Sequence, residues 1–69
     1  HKGKLLEWGQ AQKKQVVFKL LSSYGKDHEK SYEVMVMIGQ EKYAHAVGTS
    51  IKRAEELAAK LALKELTQS

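Results

Sequence analysis

From Tyr32 to Ile38 the chain alternates, with Tyr32, Val34, Val36 and Ile38 on one side and Glu33, Met35 and Met37 on the other. Only a pleated strand sends every second side chain to the same face. A strand is therefore expected over 32–38, with the valines and Ile38 towards a core and the Met35 and Met37 face towards water. Gly39 and Gln40 begin a turn, and 43–47 (YAHAV) returns as a second strand whose Ala44 and Ala46 are small enough to sit under a helix. Upstream, 15–21 (QVVFKLL) is β-branched and aromatic, which predicts a further strand. Between them, 22–31 reads as a polar loop centred on Gly25, Lys26, Asp27 and His28.

Helical signals flank these strands. Residues 4–14 are rich in Leu, Glu, Gln, Ala and Lys, all good helix formers. Leu5, Leu6 and Trp8 can face a core, while Glu7, Gln10 and Lys14 share a polar face. Gly9 costs about 1 kcal/mol relative to Ala inside such a helix, which points to something approaching closely there. At the other end Gly48 closes the third strand, and the hydroxyl of either Thr49 or Ser50 suits an N-cap. The helix then runs over 51–66. Ala54, Ala58, Leu61 and Ala62 make its apolar stripe, Leu57, Ala59, Leu63 and Leu66 widen it, and Arg53, Glu56, Lys60 and Lys64 take the opposite arc. The order is α-β-β-β-α. Short hairpins make the sheet antiparallel, so an α+β fold is expected, with two helices on one face of a three-stranded sheet.

Size and composition narrow the function. At 69 residues the chain is one small domain, or a piece of a longer chain, since domains run to roughly 100–200 residues. A single domain over 1–69 is expected, with its core over about 4–66. A chain this short buries only about 60% of its unfolded surface. There is no cysteine, so no disulfide or thiolate chemistry is available. His1, His28 and His45 lack metal-ligand spacing. No apolar run approaches the ~18 residues of a membrane span, and no charged leader precedes an apolar signal core. An intracellular, cytoplasmic module is the expectation, with no membrane and no small-molecule substrate. The net charge of +4 favours an acidic partner such as nucleic acid without identifying one.

Taken in order, several short patterns carry a resemblance. They are Leu5-x-Glu7-x-x-Gln10, Gly25-x-x-His28, Tyr32-x-Val34-x-Val36 and Gly48-x-Ser50-x-Lys52-x-Ala54-x-x-x-Ala58-Ala59-x-x-Ala62-Leu63. Together they resemble the double-stranded RNA-binding domain from about Lys4 to Leu66. LLEWGQ, KKQVVFKL and RAEELAA are further similar to the C-terminal domain of bacterial ribonuclease III. The chain also departs from the family pattern. Lys26 stands where a proline is common, Ala46 replaces the first glycine of a Gly-x-Gly, and Ile51 stands where the first of two basic residues is usual. These changes bear on affinity more than on fold.

The resemblance implies a division of labour. A-form RNA presents 2′-hydroxyls in a shallow minor groove, and the family spans about 16 base pairs across two minor grooves and the major groove between them. Glu7 and Gln10 on the first helix would meet 2′-hydroxyls, which DNA lacks; a carboxylate accepts from them and an amide donates or accepts. The loop over 25–30 would reach the second minor groove, where His28 would meet a 2′-hydroxyl or base edge while Lys26 and Lys30 lie beside phosphates. Ser50, Lys52 and Arg53, at a helix N-terminus that already favours anions, would hold phosphates. Each residue also has a plainer reading. Glu7 and Gln10 alone would be a solvated helix face, His28 an exposed loop histidine, Ser50 a cap and Arg53 a solvated arginine. Trp8, Phe18, Tyr32 and Tyr43 read as core and helix edge, so base stacking on an exposed aromatic platform is not expected.

No Gly-rich phosphate loop, His-Glu-x-x-His or Gly-x-Ser-x-Gly occurs. The chain is expected to bind double-stranded RNA without cleaving it and to need no cofactor. Magnesium would belong to a separate nuclease domain of a ribonuclease III parent, which would be homodimeric through another domain. A rival expectation keeps the fold and replaces RNA with a protein partner, resting on Ile51 and on an exposed Met35 and Met37.

Overall fold

In the computed structural model, which describes residues 1–26 and 28–67, five elements follow in the expected order. They are α1 (Lys2–Ala11), β1 (Val16–Tyr24), β2 (Ser31–Ile38), β3 (Glu41–Gly48) and α2 (Ile51–Thr67). Asp27 of the expected loop, like Gln68 and Ser69, lies outside the described residues. The strands form one antiparallel sheet in the order β1-β2-β3. Helix α2 packs over β3 and β2, and α1 packs against α2 and β1. The α+β architecture is the one expected.

The period of β2 builds the core. Val34, Val36 and Ile38 are 2% exposed or less, and Val36 and Ile38 meet Leu5 of α1 and Ala58, Ala59 and Ala62 of α2. Trp8, Val16, Phe18, Tyr43, Leu63 and Leu66 close its rim, half-buried. The alanines bring α2 close to the sheet, because nothing longer than a methyl stands between helix and strands. Between β2 and β3 the chain turns at Gly39 (φ 57°) and Gln40 (φ 74°), the paired positive angles of a tight hairpin. Ile38 then pairs with Glu41 and Met37 with Lys42, but Val36 pairs with Ala44. Tyr43 is the extra residue of a bulge. That one-residue shift turns Ala44 and Ala46 onto the buried face.

Several boundaries differ from those expected. Helix α1 covers Lys2–Ala11 rather than 4–14. Its end is a Schellman motif: Lys14 N–H donates to the Gly9 carbonyl (2.8 Å) and Lys13 N–H to the Gln10 carbonyl (3.1 Å), with Lys13 in the left-handed region at φ 58°. Lys14 therefore lies beyond the helix, away from the face of Glu7 and Gln10. The close approach anticipated at Gly9 is real, since a Cβ there would stand 2.6 Å from Val16 Cγ2. Strand β1 runs on to Tyr24, so the expected loop loses Ser22–Tyr24 to it. A bulge at Leu21 lets Ser22 pair with Glu33, and the Ser22 hydroxyl reaches the Glu33 carboxylate at 3.4 Å.

Burial corrects the expectations at five further residues. Met35 is only 8% exposed and Met37 half-buried, so the outer face of β2 is not an open methionine surface. Met35 sits on the central strand, directly between its cross-strand partners Lys19 and His45, whose stems flank it. Leu57 and Leu61, expected in the apolar stripe, are 44% and 46% exposed. The buried arc of α2 is centred on Ala54, Ala58, Ala59 and Ala62, and these two leucines fall on the side that turns off the sheet. Leu6 is likewise 41% exposed, one position round α1 from the buried Leu5.

Candidate nucleic-acid interface

The eight residues singled out in the sequence occupy three places. Glu7 and Gln10 lie exposed on α1, three positions apart and so on one face. Lys26, His28 and Lys30 lie exposed on the loop between β1 and β2. Ser50 immediately precedes α2, and Lys52 and Arg53 lie exposed in its first turn.

The second and third places adjoin. The hairpin register sets Tyr32 opposite Gly48, which carries the start of β2 to the end of β3. His28, Glu29, Lys30, Ser31, Tyr32 and Thr49 line one open cleft. The loop cations thus stand next to the residue that leads into the α2 tip. Gly25 makes the loop possible: at φ 107° it adopts a conformation that side chains rarely tolerate, and a Cβ would collide with the Glu29 carbonyl. Glu29 N–H then donates to the Lys26 carbonyl at 2.7 Å, folding the loop back on itself. Ser31 and Thr49 were not anticipated as cleft residues. Their signal was the register, which a reading of single strands does not supply.

At the α2 tip the choice between two caps resolves to Ser50, whose hydroxyl oxygen accepts from the Arg53 N–H at 3.1 Å. That bond satisfies one of the free amides; the others point outward beside two cations. Lys26, Lys30, Lys52 and Arg53 form no ion pair with another described residue. Ile51, 43% exposed, stands among them as an apolar gap.

The nearest carboxylates of α2 are turned towards the other helix. Glu55 takes the Lys2 ammonium at 2.8 Å. Glu56 takes the backbone nitrogen of His1 at 3.0 Å and the Lys2 N–H at 3.2 Å. The hydrogen bond from the His1 backbone nitrogen, followed by that from the Lys2 amide, holds the Glu56 carboxyl below the ordinary glutamate value, against the opposing effect of desolvation. Helices α1 and α2 are therefore tied near their beginnings. Gln10 lies about 12 Å further along α1 at 1.5 Å per residue, towards the end of the sheet where β1 starts. The Glu7 and Gln10 face and the loop-and-tip cleft are two separate patches on a body measuring 40 × 19 × 18 Å.

No group of three or more His, Asp or Glu among the described residues is arranged to hold a metal ion, and no described helix is long and apolar enough to cross a membrane. What the geometry offers is hydrogen-bonding groups on one patch and exposed cations at a helix N-terminus on the other, which suits a polyanion with a repeating surface.

Comparison with known proteins agrees. Residues 1–66 match the family model described as the double-stranded RNA binding motif. Ribonuclease 3 of Campylobacter concisus is 39% identical over 49 residues, covering 71% of this chain and 22% of that protein. Ribonuclease 3 of a Nitratiruptor species is 49% identical over 49 residues, with the same coverage of 71% and 22%. The chain thus spans about a fifth of the length of these relatives. Among solved structures, that of Arabidopsis HYL1 superposes with a TM-score of 0.85 at 28% identity, covering 97% of this chain and 96% of that one. The sequence patterns, the α-β-β-β-α fold and the match over nearly its whole length place the chain in the double-stranded RNA binding motif family.

Proposed function

We propose that the chain docks double-stranded RNA by shape and serves as the substrate-binding domain of a ribonuclease III. In this reading Glu7 and Gln10 enter one minor groove and hydrogen-bond 2′-hydroxyls. The loop carries His28 into the next, with Lys26 and Lys30 beside its phosphates. Ser50, Lys52 and Arg53 lie across the intervening major groove and hold its phosphates. A deep, narrow A-form major groove hides its base edges, so contacts of this kind recognise duplex form with little sequence preference. Family membership supports the ligand, and the ribonuclease 3 relatives support the parent. Magnesium and strand cleavage then belong to a nuclease domain elsewhere in such a parent, as does any pairing of subunits, and the location is cytoplasmic.

The observation that carries the reading is the shared cleft of His28, Lys30 and Thr49 beside a capped helix tip whose Lys52 and Arg53 are exposed. The reading of a protein-pairing module through the sheet loses one of its supports, because Met35 is buried. Titration of a ~20-base-pair RNA duplex, long enough for the ~16-base-pair footprint, against a DNA duplex of the same sequence tests the proposal. RNA is expected to bind more tightly, with affinity falling steeply as salt rises. Equal affinity for the two would overturn it.

A further inference from the structure

Helix α1 has no cap of its own. His1 occupies the N-cap position and its side chain bonds none of the first amides, although a helix start leaves four N–H groups without partners. The missing acceptor comes from the other helix. The Glu56 carboxylate of α2 receives the His1 backbone nitrogen (3.0 and 3.3 Å to its two oxygens) and the Lys2 N–H (3.2 Å). Glu55, beside it, holds the Lys2 ammonium at 2.8 Å, and that ammonium also lies 5.2 Å from the centre of the Phe18 ring. Three elements, α1, α2 and β1, are fastened at this one point.

We infer that Glu56 is a positioning residue for duplex docking: by capping α1 from α2 it fixes the separation of Glu7 and Gln10 from Lys52 and Arg53. The inference rests on the RNA-docking reading and extends it to a residue that touches no RNA in that reading. Two contact patches can match successive grooves only if the bodies that carry them are held rigidly to each other. Glu56 joins those two bodies directly, 54 residues apart in sequence from Lys2. It also lines a shallow hollow together with Lys52, Arg53 and Leu57, which makes the inference sharp. A carboxylate near two phosphate-binding cations should weaken binding of a polyanion if its charge is all that matters, so removing it should tighten binding. A positioning role has the opposite sign.

The test compares the chain with its Glu56→Ala and Glu56→Gln variants on two RNA probes. One is a ~20-base-pair duplex and the other, of ~8 base pairs, is too short for the ~16-base-pair footprint. Glu56→Ala is expected to lose about tenfold in affinity on the long duplex and under twofold on the short one. Glu56→Gln, which keeps a carbonyl acceptor, is expected to fall between Glu56→Ala and the unchanged chain. Tighter binding by Glu56→Ala to both probes, or an equal loss on both, would overturn the inference. Amide hydrogen exchange separates this from a failure of the RNA reading itself. If the unchanged chain binds neither probe, the docking reading falls. The tie between helices then stands if Glu56→Ala speeds exchange at Leu5 and Leu6 but not in β2, and falls if those amides are unaltered.

Discussion

The Ser50 hydroxyl oxygen lies 3.1 Å from the Arg53 backbone nitrogen, so the residue assigned to phosphate binding is already engaged as the cap of α2. The oxygen accepts that bond with one lone pair, and the hydroxyl proton remains available as a donor towards an anion. Ser50→Ala removes both roles, and losing a serine cap costs about 1 kcal/mol. Ser50→Gly costs only a few tenths while removing the donor as completely. Chemical denaturation beside RNA titration therefore separates the roles. A capping role alone predicts that Ser50→Gly binds RNA almost as well as the parent chain. Comparable weakening by both variants would show that the hydroxyl meets the phosphate.

Lys13 fills the position of the Schellman motif where glycine is usual. It carries φ 58°, a conformation that costs an L-residue roughly 1–2 kcal/mol. Lys13→Gly is expected to raise the unfolding free energy by about 1 kcal/mol, after allowing for the greater freedom of glycine in the unfolded chain. Urea denaturation checks it, and a decrease in stability would mean that the lysine side chain supplies a contact outweighing the backbone strain.

These two sites show what the sequence does and does not display. The one-sided alternation of β2 and the alanine spacing of α2 made the core legible, because burial of one face is a periodic demand on composition. The ends of elements answer to single backbone bonds. Nothing in Gln12-Lys13-Lys14 advertises a left-handed residue, so the expected α1 overruns its true end by three residues. Ser22 and Ser23 look like loop because they belong to an edge strand that has run past its covering helix, with both residues exposed. Met35 looks solvent-facing because burial on the outer sheet face comes from its neighbours Lys19 and His45, a lateral relation that period two does not encode. For the site, the residue types and their spacing were readable. The adjacency of the loop and the α2 tip depends on the Tyr32–Gly48 pairing, and the tie from Glu56 to α1 joins opposite ends of the chain.

Ile51 and Lys52 open α2 side by side, both exposed, and only one is charged. Lys52→Ala is expected to weaken binding to every duplex RNA and to reduce the slope of log affinity against log salt by about 1, the mark of one lost phosphate contact. Ile51→Lys makes the complementary prediction: tighter binding and a slope steeper by about 1. The two variants should move oppositely in a salt-series titration. A slope unchanged in both would remove the helix tip from the interface.

His28 lies on the loop that shares a cleft with Thr49, exposed and away from the core. His28→Ala should leave the unfolding free energy within about 0.5 kcal/mol of the parent, as for most surface substitutions, while lowering affinity for duplex RNA several-fold. Its effect on a DNA duplex of the same sequence should be smaller, since the hydroxyl that the imidazole can meet is missing there. Equal losses on RNA and DNA would place His28 at a phosphate instead of a sugar.

Glu56 gives the fold a dependence on acid with a definite sign. Its carboxyl is held below the ordinary glutamate value by hydrogen bonds from the His1 backbone nitrogen and the Lys2 amide. Lys52 and Arg53 of its own helix, lining the same hollow, and Lys2 of α1 add positive charge around it. A group whose folded value is lowered binds its proton more readily in the unfolded chain, so its contribution is complete above the ordinary carboxyl range. It is lost progressively as the pH falls through the lowered value. Protonation removes the acceptor charge from the start of α1, and the first amides of that helix should open before the sheet does. The expected result is that exchange at Leu5 and Leu6, corrected for intrinsic rates, accelerates relative to Val36 when the pH drops below the carboxyl range. In Glu56→Gln the relative rates should stay level across that interval. If the variant shows the same acceleration, the acid-sensitive contact does not lie with Glu56.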